Sequence, residues 1–107
     1  SIDIIGYILY TIYSKYTGVI IMPVISRFSG IIIKMYLRQS EHNPPHIHAI
    51  CGDCAGIFSI ADGEMFEGDI PSKEQRLIQK FIDRYRSSLY HMWETQSFHT
   101  LPFEKEV

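Results

Sequence analysis

AGIFSIADGEMFE, residues Ala55 to Glu67, consists of two short apolar runs hinged on Asp62-Gly63. A two-residue type I′ turn needs positive φ at both central positions, and Asp-Gly between strand-like runs is the strongest short-range hairpin signal. The stretch therefore predicts an antiparallel hairpin, Ala55–Ala61 with Glu64–Glu67.

Upstream, Gly52-Asp53 predicts a second tight reversal, which pairs this hairpin with a strand over His46 to Cys51. Pro44-Pro45 cannot donate to a ladder and stiffens the approach to that strand, after the polar stretch Gln39 to Asn43. Before it, FSGIIIKMYLR (Phe28 to Arg38) alternates after Gly30. Ile31, Ile33, Met35 and Leu37 fall on one face, and Ile32, Lys34, Tyr36 and Arg38 on the other, as in a half-buried strand.

Downstream, Asp69-Ile70-Pro71-Ser72 closes the sheet. Ser72 is the expected helix N-cap with Gln75 as its capping-box partner, and the helix should run to about Gln96. Leu77, Ile78, Phe81, Ile82, Tyr85, Leu89, Met92 and Trp93 make one apolar face at helical spacing, to pack on the sheet. Lys73, Arg76, Lys80 and Arg84 recur every three or four residues and form a basic stripe on nearly the opposite side. The tail after Gln96 is a coil that folds back through Leu101 and Phe103.

These elements predict one α+β domain from Met22 to Val107, a small antiparallel sheet of three to four strands packed against one long C-terminal helix. The 107 residues are 46% hydrophobic, enough for one core and no more than one domain. A net charge of -2 argues against nucleic-acid binding driven by bulk charge, while leaving room for a local basic patch.

The first twenty-one residues, SIDIIGYILYTIYSKYTGVII, fit this domain poorly. Asp3 and Lys15 spoil them as a spanning helix, and they lack the basic start of a signal peptide. Tyr7, Tyr10, Tyr13 and Tyr16 would form an aromatic ridge if the segment were helical. The preferred reading is upstream translation: Thr17-Gly18-Val19 can be encoded by codons containing a ribosome-binding AGGAG shortly before the Met22 codon, which makes Met22 the expected start. With only two cysteines, Cys51 and Cys54, and no secretory signal, we expect a cytoplasmic protein with no membrane association.

The segment with most chemistry is His42-Asn43-Pro44-Pro45-His46-Ile47-His48. On a strand, His46 and His48 point to the same face about 7 Å apart along the chain. They could share a divalent metal with His42 as third ligand. They could instead act as an acid and a base across a phosphodiester, since histidine titrates near working pH. The competing reading is structural, two partly buried strand histidines held by hydrogen bonds. Cys51 and Cys54 form a CxxC, read as a fortuitous pair flanking a turn because no second pair completes a zinc site. The helix stripe Lys73, Arg76, Lys80 and Arg84, joined by Lys34, Tyr36 and Arg38, could hold phosphates or an acidic protein, against the alternative of a solvated helix face.

In order, MPVISRFSGIIIKMY, HNPPHIHA, GIFSIADGEMFEGDIP, LYHMWE and LPF resemble the small bacterial family known as domain of unknown function 4160. The resemblance covers Met22 to about Lys105, and the combination of ISRF at Ile25 to Phe28 with HxPPHxH at His42 to His48 is its most specific part. It implies a compact α+β protein with an antiparallel sheet and a C-terminal helix, belonging to a toxin–antitoxin-like gene pair beside another small protein. Ala55 stands where many members carry Lys and Tyr85 where many carry His, so neither position supplies a further cation or ligand.

Two functions are thus expected of the chain. In one, it binds a small protein encoded nearby, or nucleic acid, through Lys34, Tyr36, Arg38 and the helix stripe. In the other, it is a His-dependent phosphodiesterase or ribonuclease that uses His46 and His48, with His42 in support and a divalent metal as the candidate cofactor.

Overall fold

A computed structural model describes residues 23–35 and 44–103. The N-terminal segment, Met22, Tyr36, Arg38 and His42 lie outside the described residues. Five strands, β1 (Val24–Phe28), β2 (Ile31–Lys34), β3 (His46–Cys51), β4 (Cys54–Ser59) and β5 (Met65–Gly68), precede one helix, α1 (Ser72–Thr95). The strands form an antiparallel meander in the order β1-β2-β3-β4-β5. The α+β class holds; the sheet has five strands rather than three to four.

The additional strand is β1. Its register shifts between Val24 and Ser26, so Ile25 and Ser26 are buried in succession and the period-two pattern that marks a strand is broken. Ser26 tolerates burial because its hydroxyl donates to the Leu101 carbonyl at 2.6 Å.

The turns also differ from expectation. Positive φ at both central residues occurs at Ser29 (49°) and Gly30 (77°), so the type I′ hairpin joins β1 to β2. Gly52 alone is positive in the β3–β4 turn, the type II′ pattern. At Asp62-Gly63 only Gly63 has positive φ, and the loop closes further out, with Ser59 N–H donating to Glu64 O at 2.9 Å. The physical reason is Ile60, which is fully buried in the core while its carbonyl accepts from Arg86 Nε at 2.8 Å, so the chain dips inward before it reverses.

Helix α1 buries Ile78, Phe81, Ile82, Leu89, Met92 and Trp93 against the sheet. There they meet Phe28, Ile31, Ile33, Ile47 and Phe58, each fully buried large side chain contributing roughly 2–3 kcal/mol. Pro71, in extended conformation, is the N-cap in place of Ser72, and Gln75 donates its side-chain amide to Ile70 O at 2.7 Å instead of closing a capping box. Tyr85 departs from helical geometry inside α1. It sits between two long-range ties, its own hydroxyl to Pro102 O and Arg86 to Ile60 O. The tail returns as expected, with Leu101 and Phe103 buried and the Phe103 ring against Phe28 and Phe81.

Candidate functional site

The core takes Ile31, Ile33 and Met35 of the β2 segment and Ile47 and Ala49 of β3, so alternation sends Ile32, Lys34, His48 and Ile50 to the other side of the sheet, while His46, the first residue of β3, is buried and within reach of α1 as well as of His48. Register then aligns one row across all five strands: Val24, Lys34, His48, Ile57 and Glu67 are successive partners. The next pair along β3 and β4 is His46 with Ser59. A groove of about 460 Å3 lies over this face, lined by His48, Ile50, Ala55, Ile57 and Glu67 among others.

His46 and His48 are brought together as the sequence predicts, with ring centroids 5.2 Å apart. His46 is only 3% exposed, and Trp93 of α1 reaches its ring at 5.0 Å. Its Nδ1 lies 2.8 Å from the Pro44 carbonyl oxygen. A carbonyl oxygen only accepts, so Nδ1 carries a proton, and the tautomer this selects has its lone pair on Nε2. The diproline thus supplies the acceptor that fixes the tautomer. An imidazole so held can act as a base or a metal ligand through Nε2.

Among the described residues no group of three His, Cys, Asp or Glu is placed to hold a metal ion, and His42, the proposed third ligand, lies outside them. Cys51 and Cys54 are directly opposed across the β3–β4 turn, both free and half-buried. The Cys54 thiol is pushed above its ordinary value by burial first, then by the charges of Asp69, Cys51, Asp53 and Glu74, which keeps it protonated.

The cationic residues do not share one surface. Lys34 lies on the sheet face turned away from α1, whereas Lys73, Arg76, Lys80 and Arg84 are exposed on the helix, on the other side of the molecule. Arg84 also lies over the Phe103 ring at 4.8 Å, so it helps hold the tail. Among the described residues Lys73, Arg76 and Lys80 form no ion pair.

Sequence reasoning missed Ser59 and Phe66 as neighbours of the histidines, and Glu67, one strand further on, as a wall of the same groove. Phe66 touches His46 edge-on at 6.1 Å and is 48% exposed. The alternation of β4 carried the signal for Ser59. Phe66 and Glu67 were hidden by the bulge that sets Ile57 and Phe58 against Glu67 and Met65.

Among the described residues no helix is long and apolar enough to cross a membrane. No curated protein and no solved structure matches the chain. A family match does exist, over residues 30–94, more than half of the chain and inclusive of β2 to β5, the diproline-histidine segment and nearly all of α1. The chain belongs to the family described as Domain of unknown function (DUF4160).

Proposed function

We propose that the protein acts by binding, as one component of a toxin–antitoxin-like gene pair in the bacterial cytoplasm, and that its partner is a small protein encoded nearby. One observation carries the reading: the like-charged run on α1. Lys73–Arg76, Arg76–Lys80 and Lys80–Arg84 are three successive i,i+3 or i,i+4 pairs of like charge, and each such pair costs an isolated helix a few tenths of a kcal/mol. Lys73, Arg76 and Lys80 form no ion pair among the described residues, and Asp83, the one acidic residue at helical spacing from the stripe (three after Lys80), is paired with Arg86. An acidic surface on a second protein would relieve the repulsion.

Lys73→Glu plus Lys80→Glu tests this and leaves Arg84 on Phe103 in place. Co-expressed with the neighbouring gene product, the parent should be retained in a salt-sensitive complex and the double variant should not. Equal retention makes the stripe a solvated face, and retention of RNA or DNA in place of the protein reassigns it to phosphates.

The paired imidazoles favour a second reading, His-dependent phosphodiester cleavage. A proton fixed on His46 Nδ1 leaves Nε2 available as a base, and His48 beside it could serve as the acid. A divalent ion, if used, would take His46 and His48 as ligands. Loss of RNA cleavage in His48→Gln, with the fold intact by circular dichroism, would support this reading over binding.

A further inference from the structure

The two edges of the sheet are treated differently. On β1, Leu101 N–H donates to Ile25 O at 2.8 Å and Ser26 donates to Leu101 O, so the returning tail occupies that edge. On the other side, β5 pairs among the described residues with β4 alone. An unpaired edge offers a row of N–H and C=O groups to any added strand.

Two further features meet on that edge. Phe66, the large hydrophobic residue exposed among the described residues, belongs to β5 and is steadied from behind by its contact with His46. Glu64, Glu67 and Asp69 are exposed beside it, and Glu67 also lines the groove over Ala55, Gly56 and Ile57. Gly68 has no side chain to separate the edge from that groove.

We infer that β5 is a docking edge for an extended segment of a partner protein in which Lys or Arg alternates with apolar residues. Main-chain hydrogen bonds would supply affinity without regard to sequence, and the side chains of alternate residues would supply selectivity. Phe66 takes the apolar positions, and Glu64 and Glu67 take the cations, whose aliphatic stems can lie across Gly68 toward the groove. A second copy of the chain fits worse, because antiparallel self-pairing would gather Glu64, Glu67 and Asp69 of both copies along one seam. The same acidic residues disfavour nucleic acid. This surface is separate from the basic helix stripe and goes beyond that reading, so the two can fail independently.

The test is selection of phage-displayed random twelve-residue peptides on the full chain, followed by amide hydrogen exchange with an enriched peptide. Enriched sequences should alternate Lys or Arg with apolar residues. They should bind Phe66→Ser plus Glu67→Lys roughly tenfold or more weakly, bind Lys80→Glu unchanged, and protect the amides of Met65 to Gly68. No enrichment, enrichment without that alternation, equal binding to the double variant, or protection confined to α1 would overturn the inference. Sedimentation showing a dimer that Phe66→Ser dissolves would assign the edge to a second copy and also overturn it. Both substitutions are at exposed positions, and unchanged urea unfolding of the double variant keeps loss of binding distinct from loss of fold.

Discussion

Nδ1 of His46 stands 2.8 Å from the carbonyl oxygen of Pro44, two residues earlier in the chain, so the diproline holds the ring as well as stiffening the strand entry. With Trp93, His48 and Phe66 around it, the imidazole is also a packing element. His46→Ala should therefore destabilise the fold by about 2–4 kcal/mol, through a cavity and a lost hydrogen bond. Half-buried His48 should cost less. Urea unfolding of both variants measures this. A loss below about 0.5 kcal/mol for His46→Ala would remove the structural role and leave chemistry as the reason for the residue.

Ser29 adopts a φ of 49° at the first central position of a type I′ turn, where Asn and Gly are preferred. Ser29→Asn or Ser29→Gly should raise stability by about 0.5–1 kcal/mol with no change in contacts, since the residue is exposed. Denaturant midpoints decide it, and an unchanged or lowered midpoint would mean that the turn carries no strain.

How much could be read in advance follows from which forces are local. The β3–β4 hairpin and α1 were legible because Gly52-Asp53 is a local turn signal that nothing distant overrides, and the apolar spacing from Ile78 to Trp93 keeps one helical period across the local departure at Tyr85. Strand β1 was not, because a bulge puts Ile25 and Ser26 into the interior together, and Ser26 is acceptable there only through Leu101, 75 residues away. The Asp62-Gly63 turn misled for a similar reason: Ile60 is claimed by the core and by Arg86, and tertiary contacts overrode a strong local signal. For the site, the proximity of His46 and His48 needs only the strand period. The row from Lys34 to Glu67 needs the register of four strands. That register also parts Lys34 from the helix stripe with which the sequence had grouped it.

Gly30 and Gly68 both have positive φ and should respond differently to alanine. A Cβ on Gly30 would meet nothing within 4 Å, so Gly30→Ala should cost about 1–2 kcal/mol from conformation alone. A Cβ on Gly68 would fall 2.3 Å from the Ala55 carbonyl oxygen and 2.4 Å from the Gly56 Cα, both backbone atoms. Gly68→Ala should cost about 3 kcal/mol or more and detach β5 from β4. Thermal unfolding should rank them in that order, and equal losses would contradict the close approach of the two strands.

The Cys54 thiol is raised above 9.0 by burial and by Asp69, Cys51, Asp53 and Glu74. The folded chain therefore holds this proton more tightly than the unfolded chain. The associated stability is complete below 9.0 and is lost as pH rises through the higher folded value. Urea midpoints should fall on the alkaline side of 9.0, and the fall should be smaller in Cys54→Ser. At pH about 8 Cys54 should also alkylate more slowly than free glutathione, whose thiol is unshifted. Alkylation at or above the glutathione rate would contradict the raised value.

Lys80 separates binding from stability more sharply than any other residue in the stripe. It has Arg76 four residues before it and Arg84 four after, both positive, so it takes part in two repulsive pairs. Lys80→Glu turns both into attractive pairs, the better oriented being the new carboxylate with Arg84 four residues after it, against one new repulsion with Asp83 three residues after it, and should on balance raise the melting midpoint by a few degrees. If the stripe is held for a partner, the same substitution should weaken the complex and flatten its dependence on salt, because one attractive charge is gone. Surfaces that gain stability and lose function on one substitution are retained for function. A variant that is more stable and binds as well as the parent would show that the repulsion is incidental. A variant less stable than the parent would mean that Asp83 outweighs the two arginines at that position.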